Sequence, residues 1–182
     1  MTLKTRSIYI VGALVALNLI LRVAVIGYAV SHAHWMGSDS SYYLANAHNV
    51  CSGQWGGDGF KPGLYSAFIC LFWPAAAPDA VSWGAAVPLL LQTLLVWVVG
   101  LFLFLKSAKA KSRSAKWISI FWLYDPGLFI YSALFMSDAL CAVLVFALAL
   151  AIREKRNGWI GFFLGLIVLA RNIGSILALW TI

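Results

Sequence analysis

Apolar residues in this chain come in long runs separated by short basic blocks. The first run covers 23 positions, residues 8–30, behind a leader that carries Lys4 and Arg6. It is too long for a signal-peptide core. Ser31-His32-Ala33-His34-Trp35 follows it where a small-residue cleavage site would be needed, so a retained helix is predicted. A second run, 81–105, ends at the block 106–116, which holds five cations and no acid. From Trp117 the chain is apolar to about Met136, is interrupted at Ser137-Asp138, and continues to Ile152 before Arg153-Glu154-Lys155-Arg156. The last run occupies 159–182. At about 20 residues per crossing, the pattern predicts an all-α, polytopic transmembrane helix bundle of about five spans: 8–30, 81–105, 117–136, 138–152 and 159–182. The whole of 1–182 then forms a single transmembrane domain.

Composition agrees with a bilayer as the solvent. The chain is 63% hydrophobic and 10% charged, against roughly 25% charged in a soluble domain, which excludes a water-soluble globule. The net charge of +7 sits in three blocks (Lys4/Arg6, 106–116 and 153–156) and not in a stripe with interleaved aromatics, so no nucleic-acid partner is expected. All three blocks fall on one side of a five-span topology. Asp39, Asp58, Asp79 and Asp138 fall on the other. By the positive-inside rule the N-terminus is cytoplasmic and the loop 31–80 lies outside. The localisation expected is integral to a bacterial or archaeal plasma membrane.

That loop is the one long extramembrane piece. Residues 39–51 read as a short amphipathic helix with Ser38 or Asp39 as N-cap and Gly53 closing it. Residues 52–62 are Gly-rich and polar, and 63–73 form an apolar run too short to span, which suits an interfacial or re-entrant helix. Cys51, Cys70 and Cys141 form an odd set without a CxxC or Cys/His cluster. Small buried hydrophobes are the simpler reading, and a Cys51–Cys70 disulfide stays open in an oxidising outer compartment. His32, His34 and His48 all lie outside. Interfacial histidines are the simpler reading, Asp39 with His34 is the candidate for a divalent metal, and no cofactor is otherwise indicated.

Ionisable groups inside apolar runs cost roughly 2.5–3.5 kcal/mol each at a helix centre, so they need partners or a task. Arg22 and Arg171 both lie in the outer half of the membrane, about 21 and 18 Å along their helices. Either snorkels, bonds to loop carbonyls, or contacts substrate. Arg171, in the polar island Ala170-Arg171-Asn172, suits the phosphate of a lipid-linked donor. Asp125 precedes Pro126 near the midplane and predicts a kink or break there. It is a candidate ion-pair partner for one of the arginines, or a cap on the broken helix. Asp39 at the membrane surface is either an N-cap or a general base or metal ligand at the mouth of a cavity. Asp138 at the next outer turn stands before the same choice of cap or shared mouth.

Four pieces in this order resemble the polytopic GT-C glycosyltransferases, and within them the protein O-mannosyltransferase and lipid A aminoarabinose transferase group. They are Asp39-Ser-Ser-Tyr42-Tyr43-Leu-Ala45-Asn-Ala47 with Gly53; Lys61-Pro62-Gly63-Leu64-Tyr65; Asp125-Pro126 through Tyr131-Ser132 to Ser137-Asp138-Ala139-Leu140; and Gly161 through Gly165-Leu166 to Leu169-Ala170-Arg171. The resemblance implies an inverting transfer at the outer face, from a polyprenyl-phosphate sugar donor to the hydroxyl of a glycan, lipid or protein acceptor. It implies Asp39 as catalytic base or metal-associated carboxylate, Asp138 as the acidic residue of the second outer turn, and Lys61 and Arg171 as phosphate contacts. Tyr42 and Tyr65 would line the sugar or lipid groove. Against the family's greater number of spans it also implies that the chain is the N-terminal part of a longer enzyme, or that another subunit completes the active site. The alternative is a non-catalytic membrane protein, either a lipid-linked-sugar translocation or scaffold partner or an inactive remnant.

Overall fold

The computed structural model of the protein describes residues 3–32, 37–54, 63–74, 83–110 and 113–171. Among these, all regular structure is helical: α1 (Leu3–Ser31), α2 (Gly37–Cys51), α3 (Leu64–Phe72), α4 (Ala86–Ala110, entered through a 3₁₀ turn at Trp83–Ala85), α5 (Arg113–Tyr124), α6 (Pro126–Tyr131), α7 (Ser137–Arg153) and α8 (Asn157–Ala170). Among the described residues two stretches are long and apolar enough to cross a membrane, Gly12–Ser31 and Trp83–Lys106. The final apolar run is described only as far as Arg171.

The third apolar run is broken where Asp125-Pro126 predicts it. Pro126 has no N–H to continue α5, and Asp125 starts α6 by accepting a hydrogen bond from Leu128 N at 2.6 Å. The cap reading of Asp125 therefore holds, and the side chain is exposed. Breaking a helix orphans carbonyls, and here buried side chains of α1 and α4 take them up. Leu123 O accepts from Asn18 Nδ2 (2.8 Å) and Arg22 Nη2 (2.9 Å). Beyond α6, the carbonyls of Tyr131, Ser132 and Leu134 accept from Gln92 Nε2 at 2.9, 3.1 and 3.0 Å, and Thr93 Oγ1 donates to Ser132 O at 2.7 Å. Asn18, Arg22, Gln92 and Thr93 are thereby spent on irregular backbone, which is costly to leave unpaired in an apolar interior.

The helices pack with α4 at the centre, against α1, α5 and α7, while α8 packs on α7. Gly100 lets α4 and α5 close up: a Cβ there would stand 2.7 Å from Leu123 Cγ and 3.1 Å from Trp122 Cδ1. One end of the bundle gathers the C-terminal turns of α1, the start of α4, the 131–137 segment, the start of α7 and the end of α8. α2 and α3 join them in one buried cluster that includes Ile26, Leu44, Tyr65, Leu89, Phe135 and Ile167. The basic blocks fall at the opposite end, at the start of α1, the α4–α5 connection and the α7–α8 turn. Large apolar side chains are exposed along the bundle's outside (Ile20, Val98, Phe121, Leu169), whereas Asn18, Arg22, Gln92 and Thr93 are enclosed.

In the long loop, α2 begins at Gly37, earlier than the capping pattern predicts. Asp39 is thus in the first helical turn and is not its cap, a place where a carboxylate still complements the helix dipole. Gly53 closes α2 in the left-handed conformation (φ 79°), with Gly53 N bonded to Val50 O and Gln54 N to Asn49 O. The apolar run after it forms the short helix α3. Cys51 and Cys70 are joined in a disulfide, Cα–Cα 5.6 Å, that ties the end of α2 to α3. Reading all three cysteines as plain buried hydrophobes is corrected to that extent, and only Cys141 is free and buried.

Candidate functional site

The residues singled out in the sequence separate into two groups. Asp39, Asp138 and Arg171 lie at the same end of the bundle. The first turns of α2 reach the 135–137 segment through Ser40 Oγ, which donates to Phe135 O (3.4 Å), and through the Tyr43 and Ser137 hydroxyls (2.8 Å). Asp138 follows in the first turn of α7. That helix has no side-chain cap, so the capping reading of Asp138 does not apply. Its carboxylate instead forms an ion pair with Arg171, the residue that ends α8. Both partners keep contact with solvent, at 45% and 28% side-chain exposure for Arg171 and Asp138. Asp39 is exposed on α2.

Arg22 and Tyr65 belong to the interior. The Arg22 guanidinium donates to Asn18 Oδ1 (3.0 Å), Ser132 Oγ (2.5 Å), Leu123 O (2.9 Å) and Leu128 O (3.4 Å), and it stacks 4.8 Å from the centre of the Phe129 ring. It is fully enclosed, so a substrate-binding role gives way to a structural one: it holds the broken α5–α6 segment on α1. Tyr65 is likewise buried, edge-on to Tyr43 at 4.9 Å, and donates to Gln92 Oε1 at 2.6 Å. Burial, with Tyr43 adding to it, pushes its hydroxyl above the ordinary tyrosine range, which keeps the proton that this bond requires. It anchors α3 on α4 and does not line an open groove. Tyr42 is half-buried, edge-on to Tyr43 at 6.1 Å. Lys61 and His34 lie outside the described residues. Among the described residues no three His, Cys, Asp or Glu side chains converge as a metal-holding group.

What the sequence reading missed is a groove of about 420 Å³ beginning at the Asp138–Arg171 pair. It runs along α7 past Cys141, Ala142, Val145 and Phe146 to Ala149, with Trp122 of α5 on its other wall. From Asp138 to Ala149 is about 16 Å at the helical rise. The groove is charged at one end and apolar along the rest, the polarity of a lipid with a phosphate head. Its signal in the sequence was the small-residue spacing of Cys141, Ala142 and Ala149 on the face of α7 that follows Asp138.

Comparison with known protein families, with curated proteins and with solved structures gives no match to this chain.

Proposed function

We propose that the chain is an integral membrane glycosyltransferase of about five crossings that takes a polyprenyl-phosphate sugar at its outer end. The observation that carries the reading is the groove that joins an arginine ion pair to an apolar track along α7. A prenyl chain suits the track, and a phosphate suits the guanidinium, whose planar donors match phosphate oxygens. The membrane setting is supported by the exposed apolar flanks, by the enclosed polar groups, and by basic helix ends collected away from the disulfide-bearing end.

In this reading the donor phosphate exchanges for Asp138 on Arg171. Asp39 takes the proton of the acceptor hydroxyl as its oxygen bonds to the anomeric carbon, and the bond from that carbon to the phosphate oxygen breaks. The lipid phosphate leaves with its charge held by Arg171. The assignment of Asp39 rests on the resemblance to the GT-C enzymes together with its exposed position beside the 135–138 segment. A second reading, binding of a lipid-linked sugar without transfer, is favoured by one observation: Arg171 and Asp138 already neutralise each other.

The test is turnover of polyprenyl-phosphate sugar in proteoliposomes by the wild type and by Asp39→Asn, with donor retention measured in parallel. Loss of turnover with retained donor in Asp39→Asn supports the base. Unchanged turnover removes Asp39 from the chemistry. Donor retention without turnover in the wild type selects the second reading.

A further inference from the structure

The opposite end of the bundle carries a second amphipathic feature, at the turn between α7 and α8. Arg153, Glu154, Lys155 and Arg156 are all exposed there, three cations against one acid. Arg156 Nε meets Glu154 at 3.0 Å, while its side chain stays 63% exposed. Two grooves flank Trp159 immediately after this turn. One, of about 280 Å³, has Arg156 and Glu154 at its mouth and Ala147, Leu150, Ala151 and Phe163 along its length. The other, of about 330 Å³, lies against Gly158, Trp159 and Phe162. The half-exposed Trp159 ring is edge-on to Phe162 at 5.6 Å and stacked on Phe163 at 5.7 Å.

The backbone of the turn adds a further observation. Lys155 is the one non-glycine residue in the left-handed region among those described (φ 55°). It closes α7 with Lys155 N bonded to Ile152 O and Arg156 N to Ala151 O. Glycine is the ordinary residue at this position, and a residue with a Cβ is disfavoured there. The chain accepts that cost and keeps a cation at the turn.

We infer that the α7–α8 turn is a binding site for an anionic phospholipid. Its headgroup lies against Arg156 with Arg153 and Lys155 beside it, and its two acyl chains lie in the grooves on either side of Trp159. Charge complementarity selects the occupant: three cations set at the edge of apolar grooves fit a lipid phosphate with a net negative headgroup, whereas a zwitterionic headgroup carries its own cation. An amphipathic tryptophan at the same level is the expected neighbour of a headgroup region. The site rests on the membrane orientation proposed above and not on sugar transfer.

The experiment is native mass spectrometry of the full chain released from bilayers of equal phosphatidylglycerol and phosphatidylcholine, with no sugar donor present. The wild type is expected to retain phosphatidylglycerol in preference to phosphatidylcholine. Arg156→Gln and Arg153→Gln should each weaken that retention about fivefold, and Trp159→Ala should weaken retention of either lipid. Lys106→Gln, which removes an exposed cation at the end of α4, should change nothing. Equal retention of the two lipids by the wild type overturns the proposal, because the grooves then take any lipid. Equal losses in Lys106→Gln and Arg156→Gln overturn it as well, since the effect is then one of overall charge. Release as a lipid-free dimer would overturn it by showing that a second copy covers this face. The glutamine substitutions are at exposed positions, so the outcome does not depend on whether Trp159→Ala folds.

Discussion

Arg171 and Asp138 pair across the ends of two helices, the guanidinium closing α8 and the carboxylate opening α7. The pair is partly exposed, so its contribution to stability is below about 1 kcal/mol. Asp138→Asn is therefore expected to shift thermal unfolding in detergent only slightly. The same substitution releases Arg171 from a competing anion, and retention of a polyprenyl phosphate should rise by up to about fivefold. Arg171→Gln should abolish the preference for phosphate over the parent alcohol. If Asp138→Asn weakens retention, the carboxylate positions the arginine and does not compete for it.

Arg22 offers the opposite case, an arginine whose work is wholly internal. Arg22→Met leaves the apolar volume roughly filled but strips a donor from Leu123 O, from Ser132 Oγ and from Asn18. Orphaned buried acceptors cost about 1–3 kcal/mol each, with partial relief where a second donor remains, as Asn18 does for Leu123 O. A net loss of about 2–4 kcal/mol is expected in reversible unfolding. Arg22→Lys keeps the charge but cannot span several acceptors at once, and should fall between the two. Polyprenyl-phosphate retention per folded molecule should be unchanged in both variants, which separates this arginine from Arg171.

The contrast between the two arginines marks what was legible in the sequence. Elements governed by local chemistry could be read directly. Pro126 stops a helix wherever it stands, Gly53 closes one, and the 63–73 run is too short to cross a bilayer. Arg22 and Arg171, by contrast, look alike in the sequence, each in an apolar run, and which of them meets the broken segment is decided by helix packing. A clue to the first lay in Asn18, one helical turn before Arg22, and in Gln92-Thr93, an isolated polar pair within an apolar run. Side chains of that kind in a span imply backbone to satisfy. The start of α2 was misplaced by two residues because Ser38 and Asp39 are equally good as caps and as first-turn residues. The Cys51–Cys70 pairing was open in the sequence but not decided by it, since loop spacing alone does not bring two cysteines together.

The Cys51–Cys70 disulfide closes a loop of sequence separation 19 and fixes α2, with Asp39, Ser40 and Tyr43, onto α3. Alkylation of the denatured protein should modify only Cys141 before reduction, and all three cysteines after it. Cys70→Ser is expected to cost about 3 kcal/mol through the entropy of the unfolded loop. It should also lower the turnover proposed for Asp39 more than it lowers anionic-lipid retention at the α7–α8 turn. Equal loss at both ends would mean that α2 and α3 stabilise the whole bundle and not the Asp138–Arg171 end alone.

Gly100 tests the packing that positions the groove. α4 and α5 approach so closely there that a Cβ would overlap the Leu123 side chain, which is itself 2% exposed and has little room to move. Gly100→Leu should cost about 1–3 kcal/mol by overpacking and push α5 away from α4. Trp122 is carried on α5, donates from Nε1 to Val96 O of α4 at 2.8 Å, and forms one wall of the groove. The displacement should therefore widen the groove and weaken retention of long prenyl chains more than of short ones. A chain-length series of polyprenyl phosphates, measured on the folded fraction, reads this directly. Uniform weakening at every length would show that Trp122 sets only the mouth, and unchanged retention would show that the lipid does not lie against α5.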